Sequence, residues 1–166
     1  MAERLSATLE DYLEAIFLLE ESKGFARVRD ISSALDVAKS AVTTALQSLS
    51  EKGLVNYEPY EPVKLSVEGR QSAGRIVLRH RVMEDFLRNV LGLEAERANV
   101  IACGMEHAID REALDRFVCF LGFVGRRREQ GESWLDEFRR FICEGTAERT
   151  CEERMQQYLA SSGTAE

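Results

Sequence analysis

Apolar side chains recur at Leu9, Leu13, Ile16 and Phe17, a spacing of three to four that predicts a helix behind a Ser6 or Thr8 cap, ended by Gly24. Two shorter amphipathic stretches follow. The first covers residues 28–35; the second runs from Ala38 to Gly53, and Asp36-Val37 lies between them. Ile31, Leu35, Val42, Leu46 and Leu49 then face a shared core, and small Ala34 lets the two helices approach, the pattern of a helix-turn-helix. After Gly53 the period changes. Two short strands around Pro59 and Pro62 are predicted, and these form a wing. A helix-turn-helix followed by a wing is far more specific than either piece, so residues 26–66 are read as a winged helix-turn-helix.

The remainder is helical. Ser66 is positioned to cap a long helix to about Leu91, where Gly92 stops it. Further helices are expected over residues 94–109, 111–124 (capped by Asp110), 133–143 and 147–159. The 111–124 helix carries Leu114, Phe117, Val118, Leu121 and Phe123, too apolar a face for solvent, which suggests core or a dimer interface. Arg126-Arg127-Arg128 is expected in a solvated loop. The fold class is therefore mostly α.

Composition changes this picture in three places. With 166 residues and 45% hydrophobic content the chain can bury a real core. No apolar run is long enough to span a bilayer, and the N-terminus lacks a secretory apolar stretch, so a cytoplasmic protein without membrane contact is expected. In that compartment Cys103, Cys119, Cys143 and Cys151 are reduced; the last three are read as packing residues or free thiols. The net charge of -7 argues at first against nucleic acid. Its distribution does not: residues 23–81 hold ten Lys/Arg against six Asp/Glu, whereas residues 82–166 hold eleven against seventeen. A mildly basic module followed by an acidic one fits DNA binding by the first part alone.

The candidate chemistry lies on three of the predicted helices. Cys103, Glu106 and His107 are three and four residues apart, so thiolate, carboxylate and imidazole project from one helical face. His80 precedes Glu84 by one turn. Asp11 and Glu14 form a third pair; Asp11 suits a helix N-terminus, while Glu14 lies beyond the first turn, where the dipole explanation fades. If the helices converge, these groups form a site for one divalent ion or an ion pair. On the helix after the turn, Ser40, Thr43, Thr44 and Gln47 are expected to face base edges and Lys39 a phosphate; Arg27, Arg29 and Lys64 are further DNA-binding candidates.

The stretches Leu9-Glu-Asp-Tyr-Leu-Glu-Ala-Ile, Val28-Arg-Asp-Ile, Glu51-Lys-Gly-Leu-Val-Asn-Tyr-Glu-Pro-Tyr, Val67-Glu-Gly-Arg, Arg79-His-Arg and Cys103-Gly-Met-Glu-His occur in this order over residues 8–125. Together they resemble the diphtheria toxin repressor / manganese transport regulator family of metal-dependent repressors. The resemblance implies a DNA-binding domain over residues 1–70 and a helical metal-binding and dimerisation domain over 71–166. It also implies a homodimer that binds a pseudo-palindromic operator and controls metal-homeostasis genes. Asp11, Glu14, His80, Cys103, Glu106 and His107 match the family's metal ligands; His80 and Glu84 match part of an ancillary site in which Asn99 replaces a histidine. Asp11 is the manganese-type residue and Cys103 the iron-type one, so Fe(II) or Mn(II) is the expected cofactor, with Co(II) and Zn(II) binding in vitro. Lys39-Ser40, Gln47-Ser48 and Glu61-Pro62 depart from the family's usual residues, with less positive charge at Gln47-Ser48 and Glu61.

The same residues bear on two other functions. A di-iron helical enzyme needs an inward Glu-x-x-His on two helices, and no such repeat occurs. A winged-helix factor sensing oxidants through Cys103 leaves Asp11, Glu14 and His80 without a role.

Overall fold

The first helix, α1 (Ala7–Lys23), begins where the Leu9 N–H donates to the Ser6 hydroxyl and ends at Gly24, whose φ of 79° is left-handed. The computed structural model describes residues 5–131, 133–148 and 150–162. Leu13 and Ile16 of α1 are completely buried against α2 (Val28–Leu35) and α3 (Lys39–Glu51), together with Ile31, Val42, Leu46 and Leu49. Asp36 takes a left-handed φ of 51° between the two helices, a conformation that aspartate tolerates better than most residues. The Ser32 hydroxyl donates to the Val37 carbonyl at 2.6 Å and closes the turn.

The wing consists of β1 (Val55–Asn56) and β2 (Lys64–Leu65), antiparallel with Val55 opposite Leu65; Ala26 bridges to Val63 and anchors the base. Its attachment to α4 (Val67–Asp85) is tight. The Ser66 hydroxyl accepts from the Gly69 N–H at 2.9 Å and donates to the Gly53 carbonyl at 2.7 Å, while the Ser66 N–H donates to the Leu54 carbonyl at 3.0 Å. Glu20 of α1 joins the same corner by accepting from the Leu65 N–H at 3.0 Å and from Arg70.

Helix α4 runs through two cores. Ala73 and Ile76 pack with the winged helix, whereas Met83, near its end, packs with Ala98 and Ala102 of α5 (Ala95–Glu106). Its last turns depart from expectation. Residues Phe86–Val90 form a π-helical turn, with the Leu91 N–H bonded to the Phe86 carbonyl, before Gly92 (φ 72°) ends the segment.

Asp110 caps α6 (Arg111–Glu129) through the Ala113 N–H at 2.8 Å. This helix is longer than its apolar pattern predicts. Arg126–Arg128 occupy its last turn rather than a loop, where their charge complements the helix dipole; left-handed Gly131 follows. Two further helices follow, α7 (Trp134–Glu148) and α8 (Cys151–Ser162). Val118, Phe120 and Phe123 of α6 remain exposed. Among the described residues no helix is long and apolar enough to cross a membrane.

Candidate metal centre

Three helices meet at one cluster of ionisable groups. α1 contributes Glu10, Asp11 and Glu14; α4 contributes Arg79 and His80; α5 and its C-terminal cap contribute Asn99, Cys103, Glu106 and His107. Helical spacing puts each set on one face, and the packing of α1 and α5 on α4 brings the faces together. Donor atoms of Asp11, Cys103 and His107 lie within 4.8 Å of one another, and so do those of Glu14, His80 and Glu106. Six of the seven ligand candidates from the sequence therefore converge, in two adjoining sets of three. Glu84 stands apart from both. It lines the same groove, a cavity of about 650 Å³ that continues past Leu18, Leu35 and Val77, but its carboxylate pairs with Arg88 at 3.1 Å.

Glu106 is the hub. Its side chain is wholly buried, with Oε2 2.9 Å from His80 Nδ1; Oε1 makes no hydrogen bond and has His107 Nε2 at 3.5 Å. A buried carboxylate oxygen without a hydrogen bond is costly unless something positive faces it. Burial, reinforced by the neighbouring Glu14 charge and opposed by His80 and His107, pushes the Glu106 carboxyl up to about 7. Burial also raises Glu14 and the Cys103 thiol, the latter helped by Asp11, Glu106 and Glu14. A thiol held high is a poor nucleophile, which counts against Cys103 as a peroxide sensor.

His107 lies between two carboxylates, with Nδ1 2.8 Å from Glu10 Oε2 and Nε2 2.9 Å from Asp11 Oδ1. Only the imidazolium donates from both nitrogens. Burial pulls its pKa down, but the hydrogen bonds to Glu10 and Asp11 outweigh it and hold His107 above its ordinary value. Glu10 is the residue that sequence reasoning missed. It is 8% exposed and its Oε2 also accepts from Arg79 at 2.7 Å, so an Arg–Glu–His relay fixes the imidazole from behind. Asn99 Oδ1 sits 3.0 Å from His80 Nε2 and orients the second ring in a similar way.

The cluster fits a divalent cation by its donor set: carboxylates, imidazoles and one thiol, crowded together, with an unbonded buried oxygen at the centre. It also predicts a pH dependence. Glu106, Glu14 and His107 all have folded-state pKa values above their unfolded ones, so the folded metal-free protein holds protons that the unfolded chain releases. Stability from this source is greatest at low pH and is lost as pH rises from the usual carboxylate range through about 7. Calorimetry of the metal-free protein between about pH 5 and 8 should show this cluster lowering Tm as pH rises, and a saturating divalent ion should abolish most of that decline.

The DNA-binding candidates lie at the start of α2, on α3 and on the wing strand β2. Lys39, Ser40, Thr44 and Gln47 are exposed and Thr43 half-buried. The threonine hydroxyls donate to the Lys39 and Ser40 carbonyls at 3.0 and 3.1 Å, which leaves their oxygen lone pairs able to accept. Arg27, Arg29 and Lys64 are also exposed; Arg27 stacks 5.2 Å above the Phe25 ring and Arg29 pairs with Asp30 at 3.5 Å.

A winged helix-turn-helix joined to a helical unit through a carboxylate, imidazole and thiol cluster defines a metal-responsive DNA-binding regulator. The chain belongs to the iron-dependent repressor family: residues 4–63 match that family's N-terminal DNA-binding domain and residues 66–135 its metal-binding and dimerisation domain. It is similar to the HTH-type transcriptional regulator MntR of Shouchella clausii, 35% identical over 132 residues, which cover 80% of this chain and 89% of that one. Among solved structures it resembles IdeR of T. acidophilum (TM-score 0.64, 30% identity) and a manganese-dependent transcriptional repressor in complex with manganese (TM-score 0.64, 31% identity). Those matches cover 72% and 69% of this chain but only 56% and 53% of the two solved chains. The protein is thus a metal-dependent transcriptional repressor that binds operator DNA as a homodimer, and not an enzyme.

Proposed function

We propose that Asp11, Glu14, His80, Cys103, Glu106 and His107 hold Fe(II) or Mn(II), with Glu84 at the rim of the groove. In this reading, occupancy of the site switches the DNA-binding domain, residues 1–70, into its operator-binding form against the metal-binding and dimerisation domain, residues 71–166. The genes controlled are those of metal homeostasis, and the site of action is the cytoplasm. The observation that carries this reading is the meeting of α1, from the DNA-binding half, with α4 and α5 at a buried polar cluster.

A divalent ion, when bound, supplies the positive charge against which Asp11, Glu14 and Glu106 ionise side by side. The residues themselves set everything else. In the metal-free protein the His107 ring ties the end of α5 to α1 through Glu10 and Asp11, and this link weakens as the imidazolium loses its proton with rising pH. Glu10 and Arg79 keep the His107 ring turned so that Nε2 faces Asp11, one of the two candidate ligands on α1. Fixing α1 restricts the separation of the two α3 helices in the dimer to about one DNA turn, roughly 34 Å. Ser40, Thr43, Thr44 and Gln47 then read base edges, while Lys39, Arg27, Arg29 and Lys64 face phosphates.

Five of the six ligands offer oxygen or nitrogen, which favours a hard ion, and the resemblance to manganese-dependent regulators supports Mn(II). Cys103 pulls the other way, toward Fe(II), Co(II) or Zn(II). Cys103→Glu should therefore raise Mn(II) affinity relative to Zn(II) by at least about tenfold, read by competition titration. The function as a whole is tested by anaerobic DNA binding of the full chain with Mn(II), Fe(II), Co(II) or Zn(II) and without metal. Binding stronger by about tenfold or more with Mn(II) or Fe(II) is expected from typical coupling energies. Equal affinity with and without metal would refute the reading.

A further inference from the structure

The wing tip contains a residue that the fold has no use for. Tyr60 is fully exposed at 105% relative accessibility, so its ring packs on nothing in the chain, yet its backbone is left-handed with φ 72°. That conformation disfavours a bulky side chain, and glycine would adopt it freely. Strain at a residue that repays it with no internal contact marks a side chain that acts outside the molecule. The surroundings narrow what it meets. Tyr60 projects from the loop between β1 and β2, on the half of the chain that matches the DNA-binding domain, and exposed Glu58 and Glu61 flank it. Two carboxylates cannot be what holds this tip near a polyanion. An uncharged aromatic with a hydroxyl can.

We propose that Tyr60 is a DNA contact: its ring packs against deoxyribose and its hydroxyl donates to a phosphate oxygen of the strand flanking the α3 contact. The contact anchors the wing without neutralising phosphate, in a tip that otherwise repels the backbone. The proposal rests on the reading of this chain as an operator-binding protein and adds a residue to its interface.

Charge and contact separate in a salt titration. A residue that neutralises a phosphate releases counterions, and each such contact adds about 0.9 to the slope of log K against log salt. Tyr60 should leave that slope unchanged. The probe is an end-labelled duplex selected from a random-sequence pool by the full-length protein loaded with Mn(II). Tyr60→Ala and Tyr60→Gly should both weaken binding about tenfold with the wild-type salt slope, and Tyr60→Phe should lose roughly two- to threefold for the missing hydrogen bond. Tyr60→Gly should also melt at or above the wild-type temperature, because it relieves the strained backbone. Glu61→Lys serves as the contrast, with tighter binding and a steeper slope for each wing that gains a phosphate contact. Wild-type affinity in Tyr60→Gly and Tyr60→Ala overturns the proposal, as does a loss of affinity accompanied by a shallower slope. Failure of the wild-type protein to select any duplex overturns the operator-binding reading itself, a result visible before any variant is made.

Discussion

Replacing Glu106 with glutamine should leave a folded protein that no longer responds to metal. Glu106 approaches both histidines, at 2.9 Å from His80 and 3.5 Å from His107, and it is completely buried. Because burial raises its carboxyl to about 7, a large share of the metal-free molecules at neutral pH already carry it neutral. Glutamine reproduces that neutral form in shape and size. The metal-free Tm of Glu106→Gln should therefore equal or exceed the wild-type value at pH near 8. Metal affinity should fall by more than the roughly 10–100-fold that outer-shell changes cost, because a ligand charge at the junction of both donor sets has gone. Isothermal titration with Mn(II) and DNA binding under the same conditions check this. A variant that unfolds, or one that keeps metal-dependent DNA binding, would contradict the assignment.

Gly69→Ala should have the largest effect on stability. A Cβ placed at Gly69 would sit 1.8 Å from the Leu54 carbonyl oxygen and 2.8 Å from its carbon, and both atoms belong to the backbone. That carbonyl also accepts the Ser66 N–H, so moving it breaks the junction between the wing and α4. Relief by side-chain rotation is unavailable, and the cost should be about 3 kcal/mol or more, at the upper end of overpacking penalties. Denaturant unfolding measures it. Gly74, on the same helix with nothing within 4 Å of an added Cβ, is the control; alanine there should be neutral or stabilising.

The close approach at Gly69 gives a physical meaning to Val67-Glu-Gly-Arg, which in the sequence is only a matching string. Other parts of the site were legible directly. The intervals between Asp11 and Glu14 and among Cys103, Glu106 and His107 are helical intervals, so one amphipathic reading put them on shared faces, and α1, α2, α3 and the wing followed from period and turn residues. Glu10 was not legible because adjacent helical residues point about 100° apart. Next to Asp11 in a first turn, an acid also has a sufficient explanation in the helix dipole. Its role depends on Arg79 and His107, 69 and 97 residues away. The π-helical turn at Phe86–Val90 has no composition of its own that separates it from an α-helix, and it forms where α4 adjusts to α5 and α6. Arg126–Arg128 looked like a loop because three successive charges interrupt the apolar period; the helix continues on the dipole and reaches its stop at Gly131.

The partition of charge along the chain also takes on a meaning. Three acidic side chains of α1, Glu10, Asp11 and Glu14, face inward to α4 and α5, while α3 and the wing strands carry Lys39 and Lys64 outward. Under the proposed switch, neutralising the inward acids would be coupled to the geometry of the outward bases. Linkage requires the coupling to be reciprocal, so operator DNA should tighten metal binding by the same factor that metal tightens DNA binding.

Anomalous diffraction at the manganese edge from Mn(II)-loaded crystals tests the central claim most directly. The account predicts an ion bonded at once to an α1 carboxylate, Asp11 or Glu14, and to imidazole or carboxylate groups of α4 and α5. An ion held by α4 and α5 alone, with Asp11 and Glu14 turned away from it, would contradict it.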